Sequence, residues 1–205
     1  MSLLTYLALG DSYTIGEQVS LEETYAYQLV QLLRKKGVSM AAPEIIARTG
    51  WTTGELKTAM DGYTLLPRYD RVSLLIGVNN QYRGYPVDLY AEGFEELLTR
   101  AIVLAGENAA AVMVLSVPDW GVTPFAEGRD RRKIAAEIDT FNAINRGITE
   151  TMGCGYTDIT PLTREAARDA SLLAGDGLHP SAKDYRRWSG LLAATEWVSS
   201  ICDRN

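Results

Sequence analysis

Short apolar runs of strand length alternate about five times with longer helical patterns along this chain. The strand candidates are almost continuously apolar, which is typical of strands whose two sheet faces are both covered by other elements. They cover residues 4–9, 44–47, 70–76, 111–116 and 156–159. The pattern predicts an α/β fold, in which a five-stranded parallel sheet lies between two layers of helices as a three-layer α/β/α sandwich.

The helical patterns place apolar residues every three or four positions, which is the spacing of one helical face. They cover residues 20–37, 90–105, 134–148 and 181–198. Ser20 and Glu23 have the spacing of a capping box, so we expect the first helix to begin there. Ser181 is expected to cap the last helix, with Leu191 and Val198 on its inner side.

The length and the charge of the chain restrict its class. It has 205 residues without a repeat or a linker, so we expect one domain over residues 1–205. With 20 Lys and Arg against 26 Asp and Glu, the formal net charge is −6. Such a surface repels phosphate backbones and anionic membranes, so neither nucleic-acid binding nor stable membrane insertion is expected.

No apolar run approaches the roughly 20 residues of a membrane span, and the N-terminal residues lack the pattern of a signal peptide. We therefore expect a cytoplasmic location for the chain as written. A periplasmic or secreted location stays open if a leader has been removed. Cys154 and Cys202 are expected to be free thiols, although a disulfide between them stays open. One histidine cannot complete a Cys/His zinc cluster.

The only histidine, His179, stands three residues after Asp176. An imidazole is the side chain best suited to proton transfer near neutral pH, and a nearby carboxylate can orient it. Far upstream, Ser12 follows the first strand and Gly10. A serine, a histidine and an aspartate in these contexts predict acyl transfer through a serine ester. Taken singly, Ser12 also suits a helix cap and His179 a loop position.

Two further residues follow predicted strand ends. Gly50 comes after the second strand and Asn79 after the third. Because ligands bind beyond the carboxyl ends of parallel strands, we expect both near Ser12. A backbone N–H at Gly50 and the side-chain amide of Asn79 are donors for a developing oxyanion. Taken singly, Gly50 also suits an ordinary turn, and Asn79 suits a loop in which it satisfies backbone groups.

The four segments together resemble the sequence blocks of the SGNH, or GDSL-type, hydrolases, over residues 4 to about 197. The segments are Gly10-Asp11-Ser12, Gly50, Gly77-Val78-Asn79 and Asp176-Gly177-Leu178-His179-Pro180. The resemblance implies a flavodoxin-like α/β/α domain and a serine hydrolase that acts on esters without a metal or other cofactor.

The same resemblance implies a role for each matched residue. Ser12 is the nucleophile, His179 the general base and then the general acid, and Asp176 the residue that orients His179. The oxyanion hole consists of the backbone N–H groups of Ser12 and Gly50 and the side-chain amide of Asn79. The chain departs from the family pattern at Tyr13, where the name-giving motif has leucine, and at Asn80, where many relatives have aspartate.

Aromatic residues follow the third and fourth strands, on the same predicted edge of the sheet. They are Tyr82, Tyr85, Trp120 and Phe125. We expect these rings to line an acyl or alcohol pocket; the alternative is that they anchor their loops to the body of the domain. Arg83 would suit an anionic group such as that of a lysophospholipid, but it also suits a solvated loop position.

The expected function is therefore that of a serine esterase for small-molecule esters with short to medium acyl chains. A carbohydrate O-deacetylase, a lysophospholipase or a thioesterase on the same triad are alternatives within this class. A non-catalytic binding module and a phosphate-binding flavodoxin-like protein belong to other classes. The loop after the first strand offers only Gly10 and Gly16, which is a poor phosphate cradle. Self-association into a homo-oligomer stays open.

Overall fold

A computed structural model of the protein describes residues 3–202 and contains one parallel sheet of five strands. The strands are β1 (Tyr6–Gly10), β2 (Glu44–Ala47), β3 (Arg71–Leu75), β4 (Val112–Leu115) and β5 (Gly155–Thr157). Their spatial order is β2-β1-β3-β4-β5, and every neighbouring pair is parallel. This is the flavodoxin-like order, in which the direction of winding reverses between β1 and β3. The predicted fold is confirmed.

Helices cover both faces of the sheet. They are α1 (Ser12–Ile15), α2 (Tyr25–Lys35), α3 (Thr53–Gly62), α4 (Val78–Tyr82), α5 (Val87–Leu104), α6 (Arg131–Thr151), α7 (Thr160–Arg164), α8 (Ala182–Ala193) and α9 (Glu196–Cys202). Successive side chains of a strand point to opposite faces. Accordingly, Tyr6 and Ala8 of β1 pack with α2, α8 and α9, whereas Leu7 and Leu9 pack with α3, α5 and α6. Two apolar cores therefore flank the sheet.

Two predicted helix boundaries were wrong. Ser20 and Glu23 do form a capping box, but it begins a single 3-10 turn, Leu21–Glu23. α2 begins one turn later, because the Thr24 side chain accepts from the N–H of Tyr27 and caps it. The predicted last helix is two helices, since the chain turns at Thr195, whose hydroxyl donates to Leu192 O at 2.7 Å.

The break between α8 and α9 changes which residues face inward. Leu191 is 38% exposed, so its predicted place on the inner side was wrong. Val198 is buried as predicted, but it reaches the core from α9. Ser181 caps α8 as predicted and accepts from the N–H of Asp184.

Cys154 is half-buried and carries a free thiol. The expectation for Cys202 concerns a side chain that lies outside the described residues. Within residues 3–202, no helix combines the length and the apolarity that crossing a bilayer requires.

Candidate active site

The predicted reactive residues meet at the carboxyl edge of the sheet, where the winding reverses between β1 and β3. Ser12 opens α1 directly after β1, and Asn79 lies in α4 directly after β3. Gly50 follows β2, and His179 lies in the loop before α8. All four residues line one cavity of about 160 Å³. The structure thus brings together residues that are up to 167 positions apart, the separation of Ser12 and His179.

Ser12 is held at this edge by the residue before it. The Asp11 carboxylate caps α1, because its Oδ1 accepts from the N–H of Tyr13 at 3.0 Å. Ser12 is the first residue of the helix, so its own N–H has no acceptor within the helix and is free for a ligand. Only 4% of Ser12 is exposed, although it lines the cavity. The nucleophile candidate is therefore well shielded from bulk water.

Asp176 and His179 form a paired acid and imidazole within one short loop. His179 Nδ1 lies 2.6 Å from Asp176 Oδ2. The other carboxylate oxygen, Oδ1, accepts from the backbone N–H groups of Leu178 and His179, both at 3.0 Å. Partial burial by itself would raise the pKa of Asp176, but these hydrogen bonds outweigh it and lower that pKa. The carboxylate thus stays ionised and directs Nε2, the remaining ring nitrogen, away from itself.

The oxyanion-hole candidates are fixed by contacts outside the cavity. The Asn79 side-chain amide donates to Trp51 O at 3.0 Å and lies 3.5 Å from Asp11 Oδ2. Gly50 has φ 84°, in the left-handed region that favours glycine. Arg83 Nη2 donates to Gly50 O at 2.6 Å, which sets the orientation of this turn. Both donors are therefore held in place before a substrate arrives.

Arg83 is already engaged with protein groups. Besides Gly50 O, its guanidinium pairs with Glu55 at 3.2 Å, near the start of α3. The alternative in which Arg83 meets an anionic substrate group is therefore not supported by its contacts. The residue braces the turn of Gly50, a role that no spacing in the sequence reveals.

Asp11 lies beside the nucleophile, and the sequence does not reveal its protonation state. The side chain is fully buried. Burial raises the pKa of this carboxyl to about 7, against the lowering effect of the hydrogen bond from Tyr13 N–H. A group that titrates near neutral pH thus lies next to both Ser12 and the Asn79 amide.

The two departures from the family pattern have clear structural roles. Tyr13 is buried, and its ring packs against the His179 ring with centroids 5.1 Å apart. Asn80 is also buried and bonds Thr53 twice, accepting from its N–H and donating to its hydroxyl. Tyr13 thus supports the imidazole from the side, and Asn80 supports the start of α3.

Three of the four predicted aromatic residues line the cavity. Tyr82, Trp120 and Phe125 form a cluster whose ring centroids are 5.4 to 6.1 Å apart. Tyr85 does not line it, because the chain turns at Gly84 (φ 68°) after α4. Its ring lies along a separate groove of about 750 Å³ between α3 and α5.

The loop that carries Phe125 is tied to the loop that carries the histidine. Phe125 N donates to Gly177 O at 3.3 Å. Gly177 has φ 66°, and a Cβ there would lie 3.4 Å from the Pro124 side chain. One wall of the cavity and the acid–imidazole pair are thus in direct contact.

Among the described residues, no group of three or more His, Cys, Asp or Glu side chains is arranged to hold a metal ion. The cavity instead combines a hydroxyl, an imidazole held by a carboxylate, and three candidate oxyanion donors on Ser12, Gly50 and Asn79. This set matches the requirements of acyl transfer through a serine ester.

Comparison with known proteins points to the same chemistry. The model of the GDSL-like lipase/acylhydrolase family matches residues 8–187. An acetylxylan esterase from Geobacillus stearothermophilus is 24% identical over 208 residues, which cover 94% of this chain and 85% of the relative.

Two solved structures share the fold over nearly their whole length. The crystal structure of an acetylxylan esterase from Geobacillus stearothermophilus has a TM-score of 0.72 at 19% identity, covering 97% of this chain and 99% of the other. That of a lipase/acylhydrolase from Enterococcus faecalis has a TM-score of 0.74 at 18% identity, covering 98% and 97%.

Proposed function

Since this chain belongs to the GDSL-like lipase/acylhydrolase family and is a carboxylic ester hydrolase, we propose that Ser12, His179 and Asp176 carry its reaction. One observation carries the proposal. Ser12 and His179 line the same cavity as Asn79 and Gly50. The Asp176 carboxylate lies 2.6 Å from Nδ1 of His179, the ring nitrogen that does not act as the base.

The first half of the reaction forms an acyl-serine. The Ser12 hydroxyl oxygen attacks the ester carbonyl carbon, and its proton passes to His179 Nε2. The carbonyl oxygen becomes an oxyanion, which accepts from the N–H groups of Ser12 and Gly50 and from the Asn79 amide. When the intermediate collapses, the C–O bond to the alcohol breaks, and the alcohol oxygen takes the proton from Nε2.

The second half repeats these transfers with water. Water attacks the acyl carbon and gives one proton to Nε2, and the Ser12 oxygen regains that proton as the carboxylic acid leaves. Throughout, the Asp176 carboxylate stabilises the imidazolium without taking its proton. The low pKa of Asp176 supports this role, because a carboxyl that stays ionised is needed.

The size of the cavity favours short acyl groups. Its volume of about 160 Å³ is close to that of an engineered protein cavity of about 150 Å³, which holds one benzene molecule. Tyr82, Trp120 and Phe125 supply its apolar wall. We therefore propose acetyl to butyryl esters as the preferred acyl range.

The test is hydrolysis of p-nitrophenyl acetate, butyrate and octanoate by the wild type and by Ser12→Ala, in the presence of a metal chelator. We expect chelator-resistant turnover that falls by about 10⁶-fold in the variant. Thr14→Val, two residues further along α1, is a matched control for the loss of a buried hydroxyl. Substantial turnover by Ser12→Ala would refute the proposed nucleophile.

A second candidate is the removal of acetyl groups from a carbohydrate. It is supported by the acetylxylan esterase relative, which aligns with 94% of this chain, and by the short acyl range. The engagement of Arg83 with Gly50 O and Glu55 argues against a lysophospholipid headgroup at that position. Acetate release from acetylated xylo-oligosaccharides, compared with p-nitrophenyl acetate, separates a carbohydrate enzyme from a general esterase.

The proposal includes no nucleic-acid partner, which the net charge of −6 supports. Self-association remains a prediction that size-exclusion chromatography with light scattering would test.

A further inference from the structure

An arginine stands over the three rings that form the apolar wall of the cavity. The Arg129 guanidinium carbon lies 5.0 Å from the ring centroid of Tyr82, 5.4 Å from that of Trp120 and 6.0 Å from that of Phe125. Its Nη2 also donates to the Tyr82 hydroxyl at 3.1 Å. A guanidinium is attracted to ring faces at such distances. Arg129 itself is exposed and does not line the cavity.

The wall has one fixed part. Trp120 is only 3% exposed, and its indole N–H donates to Gln81 Oε1 at 2.7 Å. Gln81 in turn donates through Nε2 to Glu137 Oε2 at 2.7 Å, so the indole is anchored to α6. This side of the cavity is therefore rigid.

The other part of the wall is exposed. Tyr82 is 42% exposed and Phe125 is 43% exposed. The only hydrogen bond described for the Tyr82 hydroxyl is the one from Arg129. The cation thus connects the exposed rings to one another and to the buried indole of Trp120.

We propose that Arg129 is a positioning residue that limits the length of the acyl chain. By holding Tyr82 and Phe125 against Trp120, it closes the outer end of the acyl subsite. The inference rests on the proposed function, because it places the acyl group in this cavity. Without Arg129 the two exposed rings turn outward, and a longer acyl chain extends past them.

The nature of the cation has a consequence of its own. The planar fork of an arginine faces a ring and bonds a hydroxyl at the same time. Lysine can supply the charge but not the planar fork. A lysine at position 129 should therefore hold the rings only in part.

The experiment compares Arg129→Ala, Arg129→Met and Arg129→Lys on p-nitrophenyl acetate, butyrate and octanoate. The readout is the ratio of kcat/KM for octanoate to that for acetate. One methylene group in an apolar pocket changes kcat/KM about tenfold or more. We therefore expect the ratio to rise at least tenfold in Arg129→Ala and Arg129→Met. Arg129→Lys should fall between these variants and the wild type.

Arg132→Ala is the matched control, because Arg132 is an exposed arginine three residues away, in α6, and no contact of its side chain with the cavity is described. Its ratio should stay within about twofold of the wild type. Arg129→Met keeps the apolar stem, so it tests the cation even if Arg129→Ala does not fold.

Failure of this inference and failure of the proposed function are distinguishable. If the wild type turns over esters through Ser12 but the ratio in Arg129→Met stays within about twofold, the inference is overturned and the function stands. An equal loss on acetate and octanoate shows a general structural role and also overturns it. If the wild type hydrolyses none of these esters, the proposed function fails, and the inference fails with it.

Discussion

The stability of Asp11→Asn relative to the wild type should increase between pH 5 and pH 8. Asp11 is fully buried, and burial raises its pKa from 3.8 to about 7. The folded state thus binds this proton more tightly than the unfolded state does. Stability from the protonated carboxyl is complete below about pH 4 and is lost as the pH rises through about 7.

The size of the effect follows from the shift. A rise of about three pKa units corresponds to roughly 4 kcal/mol, at about 1.4 kcal/mol for each unit. For a chain of this length, 1 kcal/mol changes Tm by about 2–4 °C. Only about two of these units lie between pH 5 and the folded pKa, so roughly 3 kcal/mol is lost between pH 5 and pH 8. The Tm of the wild type should therefore fall by about 5–10 °C relative to that of Asp11→Asn over this range.

The assay is thermal and urea unfolding of both proteins at several pH values from 5 to 8. An asparagine keeps the acceptor for the N–H of Tyr13 but presents its own amide to that of Asn79. That contact adds an offset which does not depend on pH, so only the change in the difference between the proteins is used. Asp88→Asn, at an exposed site in α5, serves as the control. A difference between Asp11→Asn and the wild type that is the same at pH 5 and pH 8 would refute the reasoning.

Three further predictions concern the active site and its support. In Asp11→Asn, the fall of kcat/KM toward acid pH should persist, because His179 and not Asp11 is the proposed general base. Its disappearance would assign the fall to Asp11 instead. Asn79→Ala should lower kcat by about 10²–10³-fold with little change in KM, since it removes one oxyanion donor; steady-state kinetics on the acetate ester would measure this. Gly77→Ala should lower the free energy of unfolding by about 1–3 kcal/mol, because Gly77 has φ 132° and a Cβ there would lie 2.6 Å from the Tyr90 ring. Urea denaturation checks it, and unchanged stability would show that Tyr90 moves aside freely.

The strands and the long helices could be predicted because their signals are continuous. β4 is an unbroken apolar segment, and its burial on both faces requires that pattern. The short helices had no such signal, since α1, α4 and α7 span four or five residues each, little more than one turn. α3 was also missed, because only a few of its residues, such as Leu56 and Met60, face the core. Its capping box at Thr52 and Glu55 was the available signal.

Site residues could be predicted where their distance in sequence from a strand end determines their location in the structure. Ser12 and Asn79 follow neighbouring strands, so their approach depends only on the strand order. The prediction that Tyr85 lines the cavity was wrong, because a single left-handed residue, Gly84, redirects the chain. The properties of Asp11 and Arg129 depend on burial and on contacts from distant segments, which no local pattern encodes.

The hydrogen bond from Phe125 N to Gly177 O has a consequence for how such enzymes diversify. The loop around Phe125 shapes the acyl subsite, and the loop of Asp176 and His179 carries the base. Because the two loops are in direct contact, neither can be exchanged independently. A chimera in which only the loop around Phe125 is replaced by that of a relative with another substrate range would also disturb the position of His179. Selectivity and turnover should then change together, and new specificities should arise most readily when both loops are transplanted as a pair.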